Sequence, residues 1–316
     1  VEARTLLGKT APQNRHAECT DCHNPHRVTK NRAFNSNPAV PDPAGTHLHE
    51  APHSNIASGV LRGTTGVEPI YAGAQFMTNP LSFDFKRGDG GFGASDVVSS
   101  PWVTREYQIC LKCHSDYAYD TPPNLGDSLG GTPSGTNGMT QYTNQAMEFQ
   151  APLAHKGQVT TPDSGASTNY AQNNHRSWHP VISDTGRSNA IRGTVPQAFR
   201  APWDAGVGTQ TMYCSDCHGS STAANTVVPD GGENGNAWGP HGSTNNFILK
   251  GEWSAATGTD SREAGYTANA LCFKCHEPSN YADRDGLGDK DNRSTGFYNN
   301  GRGNLHAYHT DKLERL

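Results

Sequence analysis

Apolar residues along this chain fall in short, widely spaced groups, and few groups keep a period long enough to make a regular element. Residues 101–116 space Tyr107, Ile109 and Leu111 as a short helix would, and 261–277 do the same with Tyr266, Ala270 and Phe273. Both predicted helices run into a pair of cysteines. Segments 120–145 and 220–245 are dominated by Gly, Asn, Thr, Ser and Pro and predict surface loops. Residues 38–66, rich in His, Pro and Gly, predict an ordered wrapping loop. No stretch approaches the run of about 18 apolar residues that a membrane-spanning helix requires. The pattern as a whole predicts a mostly irregular, loop-rich chain with short helices.

Composition narrows this further. Of 316 residues only 33% are hydrophobic, while 35 are glycine and 20 proline, and the mean hydropathy is -0.73. That is too little apolar material for an ordinary core, yet charged residues are only 17%, which excludes a charge-swollen disordered chain. A formal charge of -5 with no basic stripe excludes the usual nucleic-acid binder. The chain starts at Val1 with no methionine and no apolar leader, which reads as a processed, exported protein.

What organises so polar a chain is visible in its cysteines. All 8 fall inside C-x-x-C-H: Cys19, Cys22 and His23; Cys110, Cys113 and His114; Cys214, Cys217 and His218; Cys272, Cys275 and His276. This is the attachment signature of c-type haem. Two residues between the thiols let both sulfurs reach the vinyl groups of one porphyrin, and the adjacent histidine meets the iron from the same side. Zinc ribbons bring two pairs together across about 15–20 residues, whereas these pairs begin 91, 104 and 58 residues apart and each has its own histidine. Thioredoxin-like dithiols occur once in a βαβ context. Four covalently held haems also answer the shortage of core, because a short segment collapses around each apolar porphyrin. The expected fold is a single tetrahaem unit over residues 1–316 with no internal boundary.

The sixth iron ligand sets potential and reactivity. Four methionines stand against eleven histidines beyond the four proximal ones, so bis-histidine ligation is the simplest reading, with electron transfer as its function. His26 lies three residues after His23 and is badly placed to reach the opposite face of its own haem. It serves another haem or none. His53, His179 and His241 each stand beside turn-forming residues and are distal candidates, weighed against solvated loop histidines. His306, His309 and His16 are alternatives. His47, His49, His155 and His175 read as surface or supporting residues.

Three further patterns carry less. Gly88, Gly90 and Gly93 match G-x-G-x-x-G without an apolar strand before or a helical pattern after, and predict a turn. Asp283, Asp285, Asp289 and Asp291 offer oxygen ligands for Ca²⁺ but miss the EF-hand spacing, so a solvated acidic turn is the competing reading. Asn292, Arg293 and Ser294 fit a glycosylation acceptor.

The segment from Ala17 to His26, the four attachment motifs without a fifth, the loop Gly88–Gly93, and segments around Trp178–Val181, Tyr213–Gly219, Gly239–Ser243 and Leu271–His276 resemble the extracellular multihaem cytochrome filaments, the cytochrome nanowires, especially their tetrahaem type. The resemblance implies subunits that polymerise head to tail, with haems in one continuous chain, and an open filament built on a heterologous contact. It implies that His26 ligates a haem of the neighbouring subunit. On that basis His53 is assigned to the first haem, His179 to the second, His26 of a neighbour to the third and His241 to the fourth. The expected function is an extracellular, non-enzymatic electron conduit fed by upstream donor cytochromes and discharging to an acceptor outside the cell. A monomeric periplasmic carrier and a reductase with one open haem are the alternatives.

Overall fold

Among the described residues, turns and irregular segments outnumber helices and strands. The structure is a computed structural model and describes residues 17–72, 79–118, 144–150, 179–185, 198–252, 269–277, 298–299 and 303–304. Contacts group the chain into two compact units: the first is Val1–Leu48, Ser54–Leu153 and His175–Ser183, the second His49–His53, Ala154–Asn174 and Asp184–Leu316.

In the first unit three four-residue helices, α1 (Cys19–Cys22), α2 (Tyr107–Cys110) and α3 (Gln145–Glu148), accompany an antiparallel hairpin of β1 (Gly66–Ile70) and β2 (Ser82–Lys86). The register pairs Gly66 with Lys86 and Ile70 with Ser82. Gln108, inside α2, ties down the segment leading into the helix: its side-chain Oε1 accepts from the backbone N–H of Thr104 at 2.8 Å and of Arg105 at 3.1 Å. β1 lies directly on this helix, since a Cβ at Gly66 would stand 2.9 Å from both the Gln108 carbonyl oxygen and the Val103 side chain. Phe34, Ala57, Val103 and Ile109 form a small core, with Cys22, Ile56, Leu61 and Trp102 packed against it. One cysteine of the first motif is thus part of the apolar cluster.

The second unit has no described element longer than four residues. Short 3₁₀ turns at Cys214–Asp216, Gly232–Asn234, Asn246–Ile248 and Leu271–Lys274, isolated bridges, and the two-residue strands β3 (Tyr298–Asn299) and β4 (Gly303–Asn304) make up its regular structure. Trp203, Tyr213, Val227, Trp238, Leu249 and Phe273 are buried. Two lysines are buried with them. Lys250 Nζ donates to the Val227 carbonyl at 2.8 Å and sits 4.2 Å from the centre of the Trp238 ring, which keeps an ammonium satisfied in a nearly dry setting.

The loop-rich architecture agrees with the expected irregular fold. The helix expected over 101–116 is the single turn α2, and 269–277 holds a 3₁₀ turn where the helix of 261–277 was expected; residues 261–268 lie outside the described residues. Residues 220–245 are irregular as expected, and of 120–145 only Asn144 and Gln145 are described, entering α3 with Asn144 as its N-cap. Two features differ from expectation. The β1–β2 hairpin was not predicted, and β2 runs into the Gly88–Gly93 loop, which therefore does follow a strand. No helix follows the loop. It is a turn closed by Asp89, whose carboxylate accepts from the Gly91 N–H at 2.8 Å and from Arg62 Nε at 3.0 Å, with Gly88 and Gly91 at φ +89 and +81. Among the described residues no helix is long and apolar enough to cross a membrane.

Candidate functional site

All four C-x-x-C-H segments close on the same backbone turn. The N–H of each histidine donates to the carbonyl of the first cysteine in its motif: His23 to Cys19 at 2.8 Å, His114 to Cys110 at 2.9 Å, His218 to Cys214 at 3.0 Å and His276 to Cys272 at 3.0 Å. One turn thus presents two thiols and an imidazole together. Every cysteine is an unlinked thiol, Cys19 exposed and the others half-buried.

The motifs come in two chemical kinds that alternate along the chain. In the first and third an aspartate precedes the second cysteine, Asp21 and Asp216; in the second and fourth a lysine does, Lys112 and Lys274. Each unit contains one of each kind. The aspartates are caps. Asp21 Oδ2 accepts from the Glu18 N–H and Asp216 Oδ2 from the Tyr213 N–H, both at 2.8 Å, each holding the residue that enters the first cysteine. The lysines are ties. Lys112 Nζ donates to the Asp21 carbonyl at 2.6 Å and to Thr65 Oγ1 at 3.0 Å, joining the second motif to the first. Lys274 Nζ donates to the carbonyls of Thr222 and Ala223 at 3.2 and 2.9 Å, just past the third motif, and to Asn269 Oδ1 at 3.1 Å. Burial pushes Lys112 below the ordinary lysine range and Lys274 down to about 8.

Within each unit the two motifs lie close enough for their thiols to affect one another. Burial first, then Cys110, pushes Cys22 up to about 11. Burial first, then Asp216, pushes Cys217 up to about 12, with Cys272 adding to the rise, and burial followed by Cys217 holds Cys275 well above the ordinary thiol range. These sulfurs stay protonated at neutral pH. Disulfide exchange proceeds through the thiolate, which burial disfavours at these three sulfurs.

Two of the motif histidines are oriented in the same way. His23 Nδ1 lies 2.8 Å from the Val60 carbonyl and His218 Nδ1 2.9 Å from the Phe247 carbonyl. Both carbonyls sit at the middle of a downstream 3₁₀ turn, Gly59–Leu61 and Asn246–Ile248. A carbonyl only accepts, so Nδ1 carries the hydrogen and Nε2 the lone pair, which is the tautomer of a metal-ligating histidine braced from behind. Burial also pulls His218 below the ordinary histidine range, which favours the neutral, ligating ring.

The other histidine candidates are not gathered into one place. His26 is exposed on the turn after the first motif, where its N–H donates to Asn24 Oδ1 at 3.1 Å. His179 and His241 are exposed. His53 is the exception, fully buried in the second unit with its Nδ1 2.8 Å from the Thr211 carbonyl and its Nε2 3.3 Å from His49 Nδ1. His16, His306, His309, the Asp283–Asp291 loop and Asn292 lie outside the described residues. Sequence reasoning missed the Asp/Lys alternation and with it the pairing of motifs; the signal stood in the residues between the cysteines.

A further group stands in the first unit. Glu68, on β1, accepts from Tyr107 Oη at 3.1 and 2.9 Å and from Gln108 Nε2 at 2.8 Å. Burial pushes this carboxyl up to about 7, against the opposing pull of these hydrogen bonds and of Lys86 and Arg105. No protein-family model, curated protein or solved structure matches the chain.

Proposed function

We propose that this chain is an exported tetrahaem c-type cytochrome whose subunits polymerise into an extracellular filament that conducts electrons along a continuous haem chain. The observation that carries the reading is that all 8 cysteines are spent in four C-x-x-C-H turns closed by the same backbone hydrogen bond, with none left over. Cys19 and Cys22, Cys110 and Cys113, Cys214 and Cys217, and Cys272 and Cys275 anchor one porphyrin each. His23, His114, His218 and His276 are the proximal ligands.

The residues suit that group. A thiol held protonated by burial, as at Cys22, Cys217 and Cys275, is the form that adds across a vinyl group to give a thioether, a step that consumes no external electrons. The Nδ1 bonds of His23 and His218 to carbonyls leave Nε2 for the iron. Bound haem supplies an iron that takes up and releases one electron, and bis-histidine ligation closes both its faces to other chemistry. The grouping of motifs two by two within each unit supports short steps between the members of a pair. Distal ligands come from the remaining histidines, of which His26, His179 and His241 stand exposed on loops. For His26 that outward position supports the trans role, in which a neighbouring subunit's haem is completed by this turn.

Upstream donor cytochromes would load such a filament, and an acceptor outside the cell would empty it. The test is direct. Intact mass of the purified chain should exceed the polypeptide mass of 33.9 kDa by four haems, and negative-stain images of native material should show fibres. A bare polypeptide mass would remove the cytochrome reading, and discrete particles carrying four haems would remove only the filament.

A further inference from the structure

We propose that the second unit holds a site for one divalent transition-metal ion of the zinc class, separate from the haems, formed by His49, His53 and Asp216. His53 is the pivot. Its side chain and that of Asp216 are both at 0% exposure. Its Nδ1 is 2.8 Å from the Thr211 carbonyl, a pure acceptor, so Nδ1 carries the hydrogen and Nε2 a lone pair. Its Nε2 lies at hydrogen-bond distance from His49 Nδ1, 3.3 Å, and 3.7 Å from Asp216 Oδ1. One ligand atom from each of the three residues lies within 4.8 Å of the other two.

The two separations from His53 Nε2 are close to those of ligands sharing an ion. Bonds of about 2.0–2.2 Å at tetrahedral angles place donor atoms about 3.3–3.6 Å apart. The Asp216 carboxylate is buried with Oδ1 3.7 Å from His53 Nε2, and a buried carboxylate is held by a positive charge beside it, which a metal ion shared with the two imidazoles supplies. The supporting shell is also in place. Asp216 Oδ2 is held by the Tyr213 N–H at 2.8 Å, which aims Oδ1 at His53. Trp203 packs against His53 with ring centres 4.2 Å apart, Tyr213 lies edge-on to it at 5.4 Å, and Trp203 and Trp238 flank His49, each at 5.5 Å. Two imidazoles and one carboxylate select zinc and its neighbours over calcium or magnesium, which take oxygen ligands.

The assignment takes His53 out of the distal set that sequence suggested, because one lone pair serves one metal. It does not depend on the haem reading, since none of the three residues is an anchoring cysteine or a proximal histidine.

The experiment uses the full chain with its cofactors. After chelator treatment and dialysis, titration with Zn²⁺ should show one site per chain, and zinc-edge X-ray absorption should show two imidazole nitrogens at about 2.0 Å. Asp216→Asn keeps an acceptor for the Tyr213 N–H and His49→Ala removes a ligand; each should weaken zinc at least about 10-fold while the haem spectrum of His49→Ala stays as in the parent. No stoichiometric zinc in the parent, or equal affinity in both variants, would overturn the proposal. So would a high-spin haem in His53→Ala, which would assign Nε2 of His53 to iron. A parent that binds zinc but carries no haem would sink the cytochrome reading and leave this one standing.

Discussion

Lys112 Nζ lies 2.6 Å from the backbone carbonyl of Asp21, so a lysine inside the second cysteine motif is bonded to the backbone inside the first, 91 residues away. The lysine is buried, at 5% exposure, and an ammonium is kept there because two oxygens satisfy it. The bond fixes the spacing of two cysteine pairs independently of any cofactor.

Lys112→Met keeps the length of the side chain and removes the donor. The Asp21 carbonyl and Thr65 Oγ1 each lose a bond, and we expect a loss of about 1–3 kcal/mol in denaturant unfolding followed by circular dichroism. Because the tie sets the pair rather than the anchoring chemistry, the variant should retain every covalent haem by mass. An unchanged unfolding midpoint would show that the tie contributes nothing to stability.

Glu68 should make stability depend on pH in an unusual direction. Its carboxyl titrates near 7 in the folded chain, against an ordinary value of 4.5. Between those values the folded state holds a proton that the unfolded state has lost. Stability is therefore greatest at the acid end of the window, falls by up to about 1.4 kcal/mol per pH unit as pH rises toward 7, and levels off above it. Glu68→Gln retains an acceptor for Tyr107 and Gln108 and removes the titration. Urea midpoints measured from pH 5 to 8 should slope downward more steeply in the parent than in the variant; parallel slopes would assign the dependence elsewhere.

The motifs that carry this chemistry could be read one residue at a time, because C-x-x-C-H is contiguous and its geometry is a single local turn. The pairing of motifs was equally present, in Asp21 and Asp216 against Lys112 and Lys274, but it emerges only when the residues between the cysteines are compared across motifs. The hairpin hid for a local reason. Pro69 inside β1 argues against a strand, and the Phe83 and Phe85 alternation of β2 is too short to stand alone. Glu68 was not legible at all: an isolated glutamate reads as solvated, and only the docking of β1 on α2 brings Tyr107 and Gln108 to it. His53 reads as a distal-ligand candidate on a loop, and its burial emerges only when Trp203 and Tyr213, 150 or more residues later, close over it.

That docking of β1 on α2 has its own test. A Cβ on Gly66 would meet the Gln108 carbonyl oxygen at 2.9 Å and the Val103 side chain at 2.9 Å. Backbone on one side and core on the other leave little room to yield. Gly66→Ala should destabilise by about 1–3 kcal/mol and loosen Glu68 from its partners, so that the pH slope attributed to Glu68 shrinks with it. A neutral substitution would mean that β1 and α2 are free to separate by several tenths of an ångström.

Removing one cysteine pair should be a local event. Cys214→Ser with Cys217→Ser deletes one proposed anchoring site while the turn at Cys214–Asp216 keeps its backbone bonds and the Asp216 cap on Tyr213. Mass spectrometry should then find three haems per chain, with haem-bearing peptides still present around Cys19, Cys110 and Cys272. Four haems in that variant would mean that another part of the chain binds the cofactor.

His26 offers the sharpest separation of subunit from filament. Its ring is exposed, and the turn that carries it is held by the bond from its own backbone N–H to Asn24 Oδ1 at 3.1 Å, which His26→Ala leaves in place. On the proposed filament reading the variant should fold and carry four haems, yet form no fibres, because the ring removed is the one proposed to ligate a neighbouring subunit's haem. Added imidazole separates ligation from linkage. It should restore a low-spin spectrum to the haem left open, since free imidazole ligates as well as the side chain does, but it should not restore fibres, since it joins nothing to the next subunit. Normal fibres from His26→Ala would place the subunit contact elsewhere.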